Sequence, residues 1–131
     1  MESAQKSEHH MVARRVFADV SSGIRTSDIW RSFVAQRIAW ENGWSVLFHE
    51  ATVSHQRNKH KLMCDFEDEI PGYLSNRRIC DALDRLSLTL SVEHLNRNLR
   101  TCYSKLVEMN IVGGNELALL DAWIADRGRL G

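Results

Sequence analysis

The chain has 131 residues, 44% hydrophobic and 26% charged, with 17 basic side chains balanced by 17 acidic ones. That length suits about one domain, and the composition is that of an ordinary globular protein. Zero net charge excludes the global field that draws a chain to nucleic acid or an anionic membrane. No apolar run approaches the roughly 20 residues needed to span a bilayer, and the first residues lack the apolar core of a signal peptide.

In chain order, residues 1–24 read as a loose N-terminal segment or an arbitrary start, polar and without apolar period up to Val12, with Val16, Phe17 and Val20 a short apolar piece before Ser21-Ser22-Gly23. Thr26 or Ser27 can cap a helix, and Asp28 in its first turn interacts favourably with the helix dipole. Ile29, Trp30, Phe33, Val34 and Ile38 form one helical stripe, and Gly43 supplies a left-handed stop, so a helix is predicted from Asp28 to Asn42. Trp44–His49 is short and apolar and reads as a largely buried strand. A helix running straight into a strand predicts an α/β fold, predominantly helical in this chain.

The loop that follows, residues 51–61, gathers His55, Arg57, Lys59, His60 and Lys61. It reads as a solvated basic turn or as a set of donors for phosphate oxygens, with an imidazole able to bind a divalent metal. His55, His60 and Cys64 lack a fourth close ligand and do not match zinc-finger spacing. The acids Asp65, Glu67, Asp68 and Glu69 lack the spacing of a calcium loop and read as a solvent-facing start of a helix or loop, with Pro71-Gly72 a break. Cys64, Cys80 and Cys102 are far apart and odd in number, which fits buried free thiols.

Residues 79–131 read as a helical region. Ile79, Ala82, Leu83, Leu86 and Leu90 keep one stripe, and Ser91 can cap a new start. Leu95, Leu99, Cys102, Leu106 and Met109 then recur at four- and three-residue steps. Gly113 and Gly114 are expected to end that helix and Asn115 to cap the next, whose apolar face is Leu117, Leu120, Trp123 and Ile124, before Gly128. Trp123 with its flanking acids Asp121 and Asp126 is assigned to packing.

The run DIWRSFVAQRIAWENGWSVLFHEATVSHQRN, Asp28 to Asn58, resembles the C-terminal part of the STELLO-type glycosyltransferases, whose helix reads close to DIWR(S/G)YxxQRLLWExG and leads to an apolar strand and a TV-x-(H/Q)-x-RN-like loop. The resemblance continues through DFEDEIPGYL and the closing LVEMNIVGGNELALLDAWIADRGRLG, covering Arg25 to Gly131. The helix and strand are remotely similar to the reversibly glycosylated UDP-arabinose mutase proteins. The resemblance implies the C-terminal part of a GT-A-like catalytic domain over residues 25–78, followed by the helical region. It also implies a membrane-anchored, Golgi-resident plant protein with its catalytic domain in the lumen and a link to the cellulose-synthesis machinery. The chain carries no DxD motif behind a strand, so the donor-binding half is expected upstream, and the chain alone is expected to be inactive.

Residue by residue, the resemblance implies Asp28 as a catalytic carboxylate near the acceptor hydroxyl, able to act as general base, with helix capping as the alternative. His55 would be a metal or diphosphate contact. Arg57 would neutralise the leaving diphosphate, and Trp30 would stack on an acceptor sugar unless its place on the apolar stripe puts it in the core. The implied cofactor is Mn or Mg with a nucleotide-sugar donor. The implied partners are that donor and a glycan or protein acceptor, with a homo-oligomer or polysaccharide-synthase partner and no nucleic acid. The reading from a different class is a non-catalytic helical interaction module that docks a partner on the Leu95–Met109 stripe.

Overall fold

A computed structural model of the chain describes residues 27–48, 50–54, 56 and 61–130. Four helices are present among them, α1 (Ser27–Glu41), α2 (Leu62–Asp84), α3 (Leu95–Glu108) and α4 (Asn115–Leu130), with a 3₁₀ turn at Val92–His94 before α3. The helix α1 matches its predicted span to within a residue. It ends as expected, with Gly43 at a φ of 67°. The Gly43 N–H donates to Trp40 O (3.0 Å) and the Trp44 N–H to Ala39 O (2.9 Å), the bond pair of a Schellman stop.

The core lies where α1, α2, α3 and α4 meet. Trp30, Val34 and Ile38 of α1 pack with Ile79 and Leu83 of α2, with Leu95, Leu99, Cys102, Tyr103 and Leu106 of α3, and with Leu120 of α4. Of the α1 stripe, Ile29 is an exception and is exposed. Leu117, Trp123 and Ile124 flank the α4 contact as predicted, and the Arg127 guanidinium sits 5.1 Å from the centre of the Trp123 ring.

Several expectations need correction. The described residues contain no strand: Trp44 to Phe48 are non-helical chain without ladder partners, and Phe48 is 89% exposed. The apolar run looked like a buried strand because composition reports the tendency to be covered and not what covers it. Pro71-Gly72 does not break the chain, since α2 runs through it. Proline inside a helix removes one N–H bond, here to Glu67 O, and both residues are exposed, so water reaches the freed carbonyl. The buried face of α2 passes through Gly72, Ile79 and Leu83, with Asn76 between them accepting from Trp30 Nε1 at 3.0 Å. The helix α2 therefore crosses residue 78, and its core contacts join the segments on either side of it.

Conversely, the stripe continuing to Leu90 does not stay helical: α2 stops at Asp84 and residues 86–90 are irregular chain. Two polar clamps explain the stop. Arg37 of α1 donates from Nε to Leu83 O (3.1 Å) and from Nη2 to Leu86 O (2.8 Å), while its Nη1 pairs with Glu41 (2.8 Å). The guanidinium thus adds a charged donor at Leu83 O, which also accepts from the Leu86 N–H (3.1 Å), and binds the Leu86 carbonyl just past the helix end, where a cation also complements the dipole. Asn98 of α3, 2% exposed, then holds the next segment by its backbone, accepting from Thr89 N–H (3.0 Å) and donating to Thr89 O (2.7 Å).

Asn98→Asp should therefore cost about 2 to 4 kcal/mol near neutral pH. It turns a donor into a carboxylate oxygen facing a carbonyl in a buried site. Burial raises the folded-state pKa of such an acid, so the folded variant binds protons more tightly than the unfolded chain and loses stability as pH rises. Thermal melts should show the gap from the parent smallest near about pH 4 and widening toward about pH 7. A gap independent of pH would show that the carboxylate is not held in the Asn98 site.

Ser91 caps the 3₁₀ turn, its Oγ accepting from Glu93 N–H at 3.3 Å. Its φ of 122° is strained for a residue with a Cβ. The Ser91 N–H is held by Asn42 Oδ1 (3.1 Å), which ties the end of α1 to the start of the turn. At the far end of α3 the stop comes earlier than predicted. Asn110, at a φ of 56°, takes the left-handed position, with Asn110 N–H to Val107 O and Ile111 N–H to Leu106 O both 2.9 Å. Gly113 serves a different need: a Cβ there would collide with the side-chain Oδ1 of Asn115. The helix α4 continues through Gly128 to Leu130. Of the thiols, Cys102 is buried and Cys80 half-buried, but Cys64 is exposed; burial pushes the Cys102 thiol up to about 12.

Candidate functional site at the head of α1

Asp28 lies in the first turn of α1. Its side chain is 86% exposed, Oδ1 accepts from Arg31 Nη1 at 3.3 Å, and Ser32 Oγ donates to the Asp28 backbone carbonyl at 2.8 Å. The carboxylate is therefore reachable from solvent and lightly tethered by one guanidinium. Thr26, the Ser27 side chain, His55 and Arg57 lie outside the described residues, so the meeting of Asp28 with His55 and Arg57 expected from the sequence does as well.

Trp30 is two residues from Asp28 and points the other way. It is 3% exposed and its Nε1 is taken by Asn76. The core position that its place on the stripe suggested is the one it occupies, and its ring offers no open face for a sugar in this fold.

Beneath Asp28 is a polar group that the sequence reading did not single out. The largely covered Arg31 side chain, paired with the Asp28 carboxylate, is also close to Tyr103 of α3, and Glu116 of α4 is near that same phenol. Glu116 is only 4% exposed, and the buried Tyr103 hydroxyl, with Arg31 near it, makes no hydrogen bond of good geometry. Burial pushes the Tyr103 phenol above its ordinary value, the nearby Arg31 guanidinium opposes this, and Glu116 adds to it. Arg31 stands in the DIWR run, but a cation on the polar side of an amphipathic helix carries no mark that distinguishes it from a solvated one. Tyr103 and Glu116 come from distant helices and could be joined to it only by the fold.

Among the described residues no group of three or more His, Cys, Asp or Glu side chains is placed to hold a metal ion. The described residues therefore do not fit a metal centre by themselves. What the geometry does supply is an accessible carboxylate at a helix head, backed by a guanidinium anchored near buried polar groups. Such a carboxylate can accept a proton from a hydroxyl brought against it.

The family model for STELLO glycosyltransferases matches residues 25–131. The chain belongs to the STELLO glycosyltransferase family. No curated protein and no solved structure matches it. The STELLO match takes in all four helices and both Asp28 and Arg31, so the candidate site lies wholly within the family region. No described helix of this STELLO chain is long and apolar enough to cross a membrane.

Proposed function

We propose that the chain is the C-terminal part of a STELLO glycosyltransferase catalytic domain, GT-A-like in its complete form. It would act on a nucleotide-sugar donor and a glycan or protein acceptor, and in that setting would face the Golgi lumen. The observation carrying this reading is that the family match runs through a helix whose leading carboxylate is exposed while the tryptophan beside it is buried. In the reaction, Asp28 takes the proton from an acceptor hydroxyl as that oxygen attacks the anomeric carbon. The sugar–diphosphate bond breaks with its electron pair going to the nucleoside diphosphate. Arg57 offsets the negative charge growing on that leaving group, an interaction that strengthens toward the transition state. His55 would be this chain's contribution toward a bound Mn or Mg, which would help to neutralise the diphosphate.

Exposed apolar side chains support a role within something larger. Leu62, Met63, Phe66 and Leu74 on α2 and Leu47 and Phe48 before it are all exposed, a concentration of apolar surface that suits covering by further protein. The interaction-module reading loses its stated surface: Leu95, Leu99, Cys102 and Leu106 are spent in the chain's own core.

The test uses the protein encoded by intact transcripts. Those should extend upstream to a strand-rich half with a DxD-like acidic pair, and that form should bind UDP in a Mn-dependent manner that EDTA abolishes. Calorimetric titration showing no Mn-dependent UDP binding, or transcripts that begin where this sequence begins, would overturn the reading.

A further inference from the structure

The C-terminal half of α2 and the residue that follows it present Arg77, Arg78, Asp81 and Arg85 along one face, spaced by the three- and four-residue steps that align side chains on a helix. With Lys105 of α3 opposite, they line an open depression of about 530 Å³. Four cations and one carboxylate therefore share one concavity in a chain whose net charge is zero. Internal pairing uses only half of those cations. Arg77 Nε pairs with Asp81 (3.1 Å) and Lys105 with Glu108 (2.8 Å), while the side chains of Arg78 and Arg85 have no ion-pair or hydrogen-bond partner among the described residues. Asp81 lies one helical turn before Arg85 and is engaged by Arg77 instead.

A basic residue at the end of a helix usually serves the carbonyls there. That duty is already filled in α2, because Arg37 approaches from α1 and bonds the carbonyls of Leu83 and Leu86. Arg85, which follows the last residue of α2, is thereby left to face the depression. Two unpaired guanidiniums two turns apart on one wall, and an ammonium on the other, offer planar forks and a point charge to several oxygens at once. We infer that this depression binds a multivalent phosphate anion, with the diphosphate group as the ligand class, and with Arg78 and Arg85 as its principal contacts. The site is carried by α2 and α3, shares no residue with the Asp28 group, and does not depend on the chain's transferring sugar.

The test is thermal denaturation of the 131-residue chain with inorganic pyrophosphate, in EDTA so that no metal takes part. At about ten times its Kd, pyrophosphate should raise Tm by about 3 to 5 °C. Chloride at matched ionic strength should not. The Arg78→Gln/Arg85→Gln double variant, whose exposed positions leave the core untouched, should fold normally and lose the shift. UDP should act as pyrophosphate does, because the oxyanion charge is what the site reads. No shift in the parent, an equal shift with chloride, a shift surviving in the double variant, or a response to UDP without one to pyrophosphate would each overturn the proposal. Failure here leaves Mn-dependent UDP binding by the longer form untouched, so the two readings fall separately.

Discussion

Arg37→Ala is expected to destabilise the fold by about 2 to 4 kcal/mol, more than any single exposed ion pair in it. The guanidinium is 13% exposed and bonds two carbonyls and a carboxylate on three sides. Hydrogen bonds to charged groups are worth roughly 1.5 to 3 kcal/mol each, and removal of the guanidinium takes its bond from the Leu86 carbonyl and leaves the carbonyl of the buried Leu83 with backbone N–H partners alone. Against a total stability of about 5 to 15 kcal/mol that is a large fraction, equivalent to a fall in Tm of about 10 to 20 °C. Arg37→Lys should recover less than half, since one ammonium cannot reproduce a fork that reaches Leu83 O and Leu86 O together. Arg100→Ala gives the contrast. Arg100 makes a two-pronged pair with Asp121 at 2.9 and 3.2 Å, but both side chains are about half exposed and screened by water, so its loss should cost far less than that of Arg37. Urea titration of the three variants checks the ranking, and equal costs for Arg37→Ala and Arg100→Ala would show that the clamp does not hold the end of α2.

The same clamp shows why the sequence was only partly legible. The helix α1 was readable because its signals are local: an acid in the first turn, a stripe at Trp30, Val34 and Ile38, and Gly43 where a left-handed residue is needed. The stripe in α3 and the apolar face of α4 were readable for the same reason. Where the outcome rests on partners far along the chain, periodicity misled. The stripe from Ile79 to Leu90 looks continuous, yet Arg37 and Asn98 divide it by binding backbone at Leu83, Leu86 and Thr89. Trp44 to Phe48 has a strand's composition and no strand's neighbours among the described residues. Asn110 took the left-handed stop that two nearby glycines advertised, since asparagine tolerates that conformation and Ile111 gained a buried seat by it.

At the candidate site, Asp28 was legible as a helix-leading acid and Trp30 as either a platform or a core residue; the fold selects the core. The group beneath Asp28 could not be read, because Arg31, Tyr103 and Glu116 approach one another only when α1, α3 and α4 pack. Exposure was equally hidden. The apolar residues of the first half of α2 follow no pattern that distinguishes a face left open from one that is covered.

The Asp28 carboxylate is the centre of the proposed reaction, and the most direct measurement of its role is sugar transfer by the intact protein carrying Asp28→Asn. The exposed position and the single 3.3 Å contact to Arg31 mean that the amide should leave the fold and Mn-dependent UDP binding as they were. It removes the basic oxygen while keeping the shape. A positioned general base contributes about a hundredfold to ten-thousandfold, so kcat should fall by at least about a hundredfold with the donor KM unchanged. Transfer at the parent rate by a folded Asp28→Asn protein would contradict the account.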